Sequence, residues 1–156
     1  MRRAFPLPLL LFALSCAHGG GNAPVAPTPA AHGALKVTVA PNPIVAVPAG
    51  GNNYDFPFDI VVRETGGAPL TITGVTVTVY AFGLPVNVDQ YDPAEIRRLG
   101  FDPNVPANGE LHYRLKPRRA VTDDRIFSSI TAGVRIEATD AANATTSDSI
   151  RVSVTR

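Results

Sequence analysis

The chain has 156 residues, of which 45% are hydrophobic and 17% charged, so it can form the core of one folded domain and is not a disordered polyampholyte. Its 15 Pro and 13 Gly exclude a helical bundle and favour many short strands joined by turns. The net charge of +1 falls to about −1 if Arg2 and Arg3 are removed, because 12 basic residues then face 13 acidic ones, and this balance excludes an electrostatic basis for binding nucleic acid.

The first residues have the order of an export signal. Arg2 and Arg3 form a short positive segment, and an almost wholly apolar run over 4–14 follows it. That run is about half of the roughly 20 residues that a membrane-spanning helix needs. Its length is that of the apolar region of a signal peptide, so residues 1–15 are predicted to be a signal peptide and not a transmembrane anchor.

The segment Ala13-Leu14-Ser15-Cys16 resembles a lipobox, the cleavage site of bacterial lipoprotein signal peptides. The resemblance implies that the Cys16 thiol receives a diacylglyceryl group, that cleavage occurs just before Cys16, and that the new amino terminus is acylated. Cys16 is therefore the predicted lipid attachment site, and membrane lipid is the predicted partner of this residue. Two or more acyl chains give stable anchoring, at about 0.8 kcal/mol for each buried CH₂.

The same resemblance predicts a lipid-anchored location in the cell envelope, facing either the periplasm or the cell surface. Ala17 stands where Asp would signal inner-membrane retention in enterobacterial lipoproteins, which favours the outer membrane in an organism that has one. Residues 16–34 are then the lipidated cysteine and a flexible tether rich in Gly, Pro and Ala, with no charge and no apolar period. At about 3.1 Å per residue the tether reaches at most roughly 55 Å.

From residue 35 the pattern changes to that of strands. Apolar and polar residues alternate over 35–39, a short extended piece follows at 44–47, and the strongest alternation runs over 54–62, with its aromatic face in the core. Pro57 lacks an N–H and is therefore expected at an edge or a bulge. In the next strand the apolar parity changes after Gly74, which predicts a β-bulge at that glycine.

One short helix is predicted within a long connection, and Tyr91 is placed outside any strand. The start of this helix is marked by three residues: Asp92, Pro93 and Glu95. Ile96 and Leu99 are expected on its buried side, Gly100 ends it, and Arg97 and Arg98 lie on its solvated face.

The C-terminal part predicts a strand over 110–116 with one exposed face, and then a hairpin formed by 134–139 and 150–154. The backbone of 120–130 is left unassigned, with Ile126, Phe127 and Ile130 expected to be buried. About seven strands and one brief helix indicate that residues 35–156 form an all-β, antiparallel β-sandwich. The terminal hairpin resembles that of bacterial immunoglobulin-like and fibronectin-III-like domains, which implies adhesion, spacing or recognition.

No residue pattern indicates catalysis or a cofactor, so the chain is predicted not to be an enzyme. The only His of the domain, His112, is expected on an exposed strand face. The carboxylate pairs Asp123–Asp124 and Asp140–Asp148 offer oxygen ligands for Ca²⁺, but their spacing matches no regular calcium loop, and no metal site is assigned.

The only basic cluster consists of four residues: Arg114, Lys116, Arg118 and Arg119. It is interpreted either as an interaction patch for an anionic partner or as the protected edge of a sheet. The sequence thus predicts a non-enzymatic envelope lipoprotein that binds or spaces another envelope protein or glycan, and no nucleic acid. The alternative is a ligand-binding module for a glycan, calcium or a small anionic molecule.

Overall fold

A computed structural model describes residues 31–156, so the predicted signal peptide, Cys16 and most of the predicted tether lie outside the described residues. Within this range no helix is long or apolar enough to cross a bilayer. The elements of residues 31–156 are, in chain order: β1 Leu35–Ala40, β2 Ile44–Val45, β3 Val47–Pro48, β4 Asn53–Asp55, β5 Phe58–Glu64, β6 Leu70–Ala81, β7 Leu84–Tyr91, α1 Pro93–Arg98, β8 Asn104–Val105, β9 Glu110–Leu115, β10 Arg118–Ala120, a 3-10 helix Asp124–Ser128, β11 Ile130–Asp140 and β12 Thr145–Thr155.

The seven longer strands form two antiparallel sheets. The smaller sheet has the order β1-β5-β9, and the larger has the order β12-β11-β6-β7, with β2 added beside β12 and β8 beside β6. The short strands β10, β4 and β3 form a third small sheet. The predicted fold class is therefore confirmed: the domain is a β-sandwich of seven principal strands with one short α-helix in a connection.

Alternating side chains of both sheets meet in one core. Ile60 and Val62 of β5 face Ile72 of β6 and Ile136 of β11 in the same cluster, and all four are fully buried. Removing one such aliphatic side chain from water contributes roughly 1.5–3 kcal/mol. The core explains why a period of two residues dominates the sequence from residue 35 onward.

The predicted bulge at Gly74 is present. Glu137 of β11 is opposite Gly74, whereas the next residue, Ala138, is opposite Ile72, so Thr73 is left without a partner. The extra residue returns the apolar side chains to the core face after the parity of the sequence has changed.

The predicted strand over 54–62 is divided in the structure. β4 ends at Asp55 and pairs with β10 and β3, whereas β5 begins at Phe58 and pairs with β1 and β9. Pro57 lies in the break, as expected of a residue without an N–H to donate. The aromatic face of both pieces nevertheless packs in the core, as predicted.

The connection before α1 differs from the prediction. Residues 84–91 form strand β7, which the sequence analysis missed, so the placement of Tyr91 outside a strand is wrong. The short helix itself is confirmed: the Asp92 carboxylate accepts from the Glu95 N–H at 2.8 Å, and the Glu95 carboxylate accepts from the Asp92 N–H at 3.4 Å. Ile96 is buried as expected, but Leu99 is 47% exposed, because it caps the C-terminal end of the helix and faces a groove described below.

The segment 120–130, left open by the sequence, contains the 3-10 helix Asp124–Ser128. Phe127 is buried against Tyr54, with ring centroids 5.1 Å apart, whereas Ile126 and Ile130 are only partly buried. These two isoleucines also face the groove.

The domain has two distinct ends. The chain enters at Gly33 and Ala34, beside the end of β5 and the end of β11, and we call this the entry end. The opposite end, the distal end, carries the β6–β7 turn at Phe82–Gly83, the small sheet with β10, and the 3-10 helix.

Candidate functional site

A groove of about 650 Å³ opens between the two sheets toward the distal end. Phe56, Phe58 and Leu115 line it from the smaller sheet and its extension, and Val77 and Val79 line it from β6. All five side chains are apolar and only partly buried, so the groove is a place where the hydrophobic core remains open to solvent. We call it the distal groove.

Helix α1 and the residues after it fill part of the space between the two sheets beside the distal groove. α1 contacts both β6 and β7, and its buried Ile96 belongs to the core cluster. Beyond the helix, Phe101 packs against Tyr113 of β9 with the rings tilted and their centroids 4.9 Å apart, and the Tyr113 hydroxyl donates to the Asp102 carbonyl at 2.8 Å. These contacts fill the space between the sheets beside α1 and leave the distal part uncovered.

Polar groups occur at the mouth of the groove rather than along its floor. In β7, Asn87 and Asp89 are opposite Val79 and Val77, so they point to the same side of the sheet as those valines. The Asn87 amide donates to the Asp89 carboxylate at 2.9 Å, and Arg119 lies 3.5 Å from the same carboxylate. A groove of this kind can bind an apolar surface or an apolar segment of a partner, which the few polar groups at the mouth would orient.

The structure places the predicted basic cluster at the distal end, on the edge strands β9 and β10 and the residues between them. Each cation has a carboxylate within 4 Å: the pairs are Arg114–Asp59 at 3.6 Å, Lys116–Asp55 at 3.1 Å, Arg118–Asp55 at 2.7 Å and Arg119–Asp89 at 3.5 Å. Lys116 and Arg119 also line the distal groove. The cluster is therefore brought together beside the groove, and its use as an interaction patch stays a prediction.

Asp55 is the carboxylate that organises this cluster. Its side chain is almost entirely buried, and hydrogen bonds from Arg118 and Lys116 lower its pKa to about 2. A carboxylate held by two cations stays ionised at neutral pH, so β10 is fastened to β4 by charge as well as by backbone hydrogen bonds.

The other candidate groups have structural partners. His112 is exposed on β9, as predicted, with its Nε2 3.2 Å from the Glu110 carboxylate, and it does not line the distal groove. Asp123 binds Arg125, and Asp124 accepts from the Tyr54 hydroxyl and pairs with Arg156.

The carboxylates of the second predicted pair, Asp140 and Asp148, accept hydrogen bonds from backbone N–H groups. Asp140 accepts from the N–H groups of Gly33, Ala142 and Ala144, and Asp148 accepts from that of Val37. In residues 31–156 no group of three or more His, Cys, Asp or Glu side chains is arranged to hold a metal ion.

Glu64 is a buried charged residue at the entry end that the sequence analysis missed. Its side chain is 1% exposed and accepts hydrogen bonds from four backbone N–H groups, those of Ala34, Gly66, Gly67 and Asn108. Burial alone would raise the pKa of Glu64, but these four donors outweigh it and lower the pKa to about 2. Glu64 thus fixes the segment that leads into β1 and does not face the groove.

Comparison with known proteins identifies the fold and no family. No protein-family model matches the chain, and no curated protein matches it. Among solved structures, the putative ApaA protein from Bordetella pertussis aligns with a TM-score of 0.58 and 13% identity, over 82% of this chain and 99% of that one. The structural-genomics target SoR45 aligns with a TM-score of 0.56 and 11% identity, over 77% and 86%. Identities this low bear on the fold alone.

A CARDB domain from Pyrococcus furiosus aligns with 14% identity over 82% of this chain and 98% of its own, but its TM-score is 0.35 and it carries no argument. The comparisons give no positive indication of an enzymatic activity. The class that the fold and the groove define is thus a β-sandwich module.

Proposed function

We propose that this chain is a non-enzymatic recognition module of the bacterial cell envelope, tethered to a membrane by lipid on Cys16, which binds another envelope component through the distal groove. The observation that carries this proposal is the distal groove itself. It combines a partly exposed apolar floor with a short polar mouth formed by Asn87, Asp89 and Arg119, which is a composition suited to binding an apolar partner that a few polar contacts orient.

The positions of the two ends of the domain support the tethered arrangement. The chain enters at Gly33 and Ala34, and the distal groove opens toward the opposite end of the strands. A lipid on Cys16 would attach the domain to the membrane through its entry end, and a flexible tether of at most roughly 55 Å would leave the distal groove free to reach a partner. The outer membrane is the proposed location in an organism that has one.

The lipid anchor is tested by Cys16→Ser in the producing bacterium. We expect the native protein to be recovered in the membrane fraction with a mass that corresponds to an acylated Cys16 at its amino terminus. The Cys16→Ser variant should be uncleaved or found in the soluble fraction. A variant that is still cleaved and membrane-bound would contradict the anchor.

The recognition role is tested by filling the groove. Ala120 is exposed and lies at the mouth, so Ala120→Trp places a large side chain in the opening with little effect on the core. Thr38→Trp on the exposed face of β1 is the matched control. After crosslinking in intact cells, a partner recovered with the native chain and with Thr38→Trp, but lost with Ala120→Trp, supports the proposal. Equal recovery with both variants contradicts it.

The alternative function is that of a ligand-binding module, and the volume of the distal groove supports this function. About 650 Å³ falls within the range of roughly 300–1,000 Å³ that is typical of small-molecule sites. A saturable rise in melting temperature with a glycan, calcium or a small anion, abolished by Ala120→Trp, would favour this second reading over a protein partner.

A further inference from the structure

The turn between β8 and β9 carries the only asparagine of the chain that is followed by glycine, Asn108 before Gly109. Asn108 is exposed and has φ of 54°, and the Gly109 N–H donates to the Pro106 carbonyl at 2.9 Å, which closes the turn. A positive φ at the third position of a β-turn favours asparagine or glycine. A side chain on Gly109 would meet Pro106 at 3.0 Å, so the turn also favours glycine at the position that follows.

The pair Asn108–Gly109 has the chemistry for spontaneous deamidation. The Gly109 nitrogen and the side-chain carbonyl carbon of Asn108 can close a five-membered succinimide ring. In this step the nitrogen loses its proton to the solvent, the bond from this nitrogen to Cγ forms, the bond from Cγ to Nδ2 breaks, and ammonia leaves. Water then opens the ring at either carbonyl and gives aspartate or isoaspartate. Glycine at the second position favours the attack, because it has no Cβ to obstruct it and the most freely rotating backbone.

Two contacts with Glu64 lie on either side of the backbone that this reaction would lengthen. The Asn108 N–H donates to the Glu64 carboxylate at 2.8 Å, and the Gly109 carbonyl accepts from the Glu64 N–H at 2.9 Å. In isoaspartate the main chain passes through Cβ and Cγ, which inserts one extra backbone atom between the two contacts. Both contacts cannot then keep their present geometry.

The modification would also change the charge around Glu64. Isoaspartate carries a free carboxylate on the Cα of residue 108, next to a carboxylate that is itself ionised and only 1% exposed. Like charges at such a buried position repel each other. The same Glu64 carboxylate accepts from the N–H groups of Ala34 and Gly67, so a change on the Asn108 side acts on the segment at the entry end.

We propose that Asn108 is a site of spontaneous deamidation, and that its conversion to isoaspartate loosens the attachment of Ala34 at the entry end. Water is the only co-reactant that the reaction consumes. The inference depends on the turn over 106–109 and on Glu64, and it depends neither on the distal groove nor on the lipid anchor.

Asn143 provides a matched control within the same chain. It is exposed and has φ of 61°, and the N–H of the residue that follows it, Ala144, donates to Asp140 at 2.9 Å. The two asparagines therefore share the sign of φ, the exposure and a hydrogen-bonded nitrogen at the next residue. They differ in the Cβ of Ala144, which obstructs the attack that Gly109 permits.

The first experiment incubates the full purified chain for several weeks at pH 8 and at pH 6 and locates the acid products by peptide mass spectrometry. We expect acid at Asn108 to accumulate at least tenfold faster than at Asn143, as a mixture of aspartate and isoaspartate, and faster at pH 8, because the attacking nitrogen must lose a proton. Asn108→Gly retains the backbone N–H and tolerates the positive φ but has no side-chain amide, so it should form no acid at this position. Equal rates at Asn108 and Asn143, or no acid at Asn108, would overturn the proposal.

The second experiment separates the aged chain by ion exchange, which resolves the added negative charge, and measures hydrogen exchange. The amide hydrogens of Ala34 and Gly67 should exchange at least tenfold faster in the isoaspartate form than in the fresh chain, whereas that of Ile136 in β11 should not change. Asn108→Gly kept for the same time should exchange like the fresh chain. Isoaspartate at residue 108 without faster exchange at Ala34, or the same increase in the aged Asn108→Gly variant, would overturn the proposed link to the entry end.

Discussion

Replacing Glu64 by Gln tests whether this buried carboxylate fastens the entry end of the domain. The two carboxylate oxygens accept from Ala34, Gly66, Gly67 and Asn108 at 2.6–3.1 Å. The Gln amide has nearly the same shape, but its NH₂ group cannot accept. In the better orientation that group faces Asn108, whose N–H then has no acceptor.

The expected cost follows from these contacts. Hydrogen bonds to a charged group contribute about 1.5–3 kcal/mol, and a buried donor left unpaired adds to this, so Glu64→Gln should lower the free energy of unfolding by about 3 kcal/mol. Because the pKa of the Glu64 carboxyl group is lowered, the stabilisation that this group provides depends on pH. The stabilisation is complete above pH 4.5 and is lost as the pH falls toward 2, because a protonated carboxyl group resembles the amide.

Urea denaturation at pH 7 and again at about pH 3 measures both effects, and the difference between wild type and variant should shrink at the lower pH. Glu137→Gln is the control, because that side chain is 56% exposed and its contact with Arg135 at 3.0 Å should contribute less than about 1 kcal/mol. A loss below about 1 kcal/mol for Glu64→Gln, or a difference that does not change with pH, would refute the reasoning.

Three further changes test the fold. Asp92→Ala removes the hydrogen bond to the Glu95 N–H and should cost about 1 kcal/mol in thermal unfolding, with Asp92→Asn retaining most of it. Ile136→Ala opens a cavity at a side chain that is 0% exposed and should cost about 2–5 kcal/mol by urea denaturation, whereas Val45→Ala on the surface should cost far less. Asp55→Asn should lower the melting temperature at pH 7 and flatten its decline between about pH 4 and 2, because the carboxylate that Arg118 and Lys116 hold is gone.

The strands could be predicted where one of their faces is buried, because apolar and polar residues then alternate along the sequence. The strands that contribute one face to the core, such as β1, β5 and β11, alternate in sequence as they do in burial. The change of parity at Gly74 located the bulge, and the spacing of Asp92 and Glu95 located α1, because both signals are local.

Strand β7 was missed although Leu84, Val86 and Val88 alternate in sequence with Pro85, Asn87 and Asp89, which is the period of a strand. The apolar side chains of this strand are exposed, and Asn87 and Asp89 lie on the side of the groove, so the alternation does not mark a buried face. Its turn, Phe82–Gly83, also lacks the Asn or Asp that usually announces a two-residue hairpin. The misplacement of Tyr91 followed directly.

The distal groove and the role of Glu64 depend on contacts between distant segments. The groove takes residues from β5, β6, β7 and the loop around residue 120, and Glu64 binds N–H groups 30 and 44 residues away in sequence. A sequence pattern reports the environment within a few residues, so neither arrangement could be read from it. The basic cluster was recognisable as a local run, whereas its pairing with Asp55, Asp59 and Asp89 was not.

The fastening of Gly33 and Ala34 has a mechanical consequence for a chain held from that side. A pull on the preceding residues would act along the axis of β1, which begins directly after the fastened segment and pairs with β5 over six positions. Because hydrogen bonds of antiparallel strands lie perpendicular to the strands, such a pull loads all of these rungs together, in shear, and does not unzip them one at a time. If the chain is tethered through the residues before Gly33, as proposed, the sandwich would therefore resist the tension of the tether best along β1, the direction in which that tension acts.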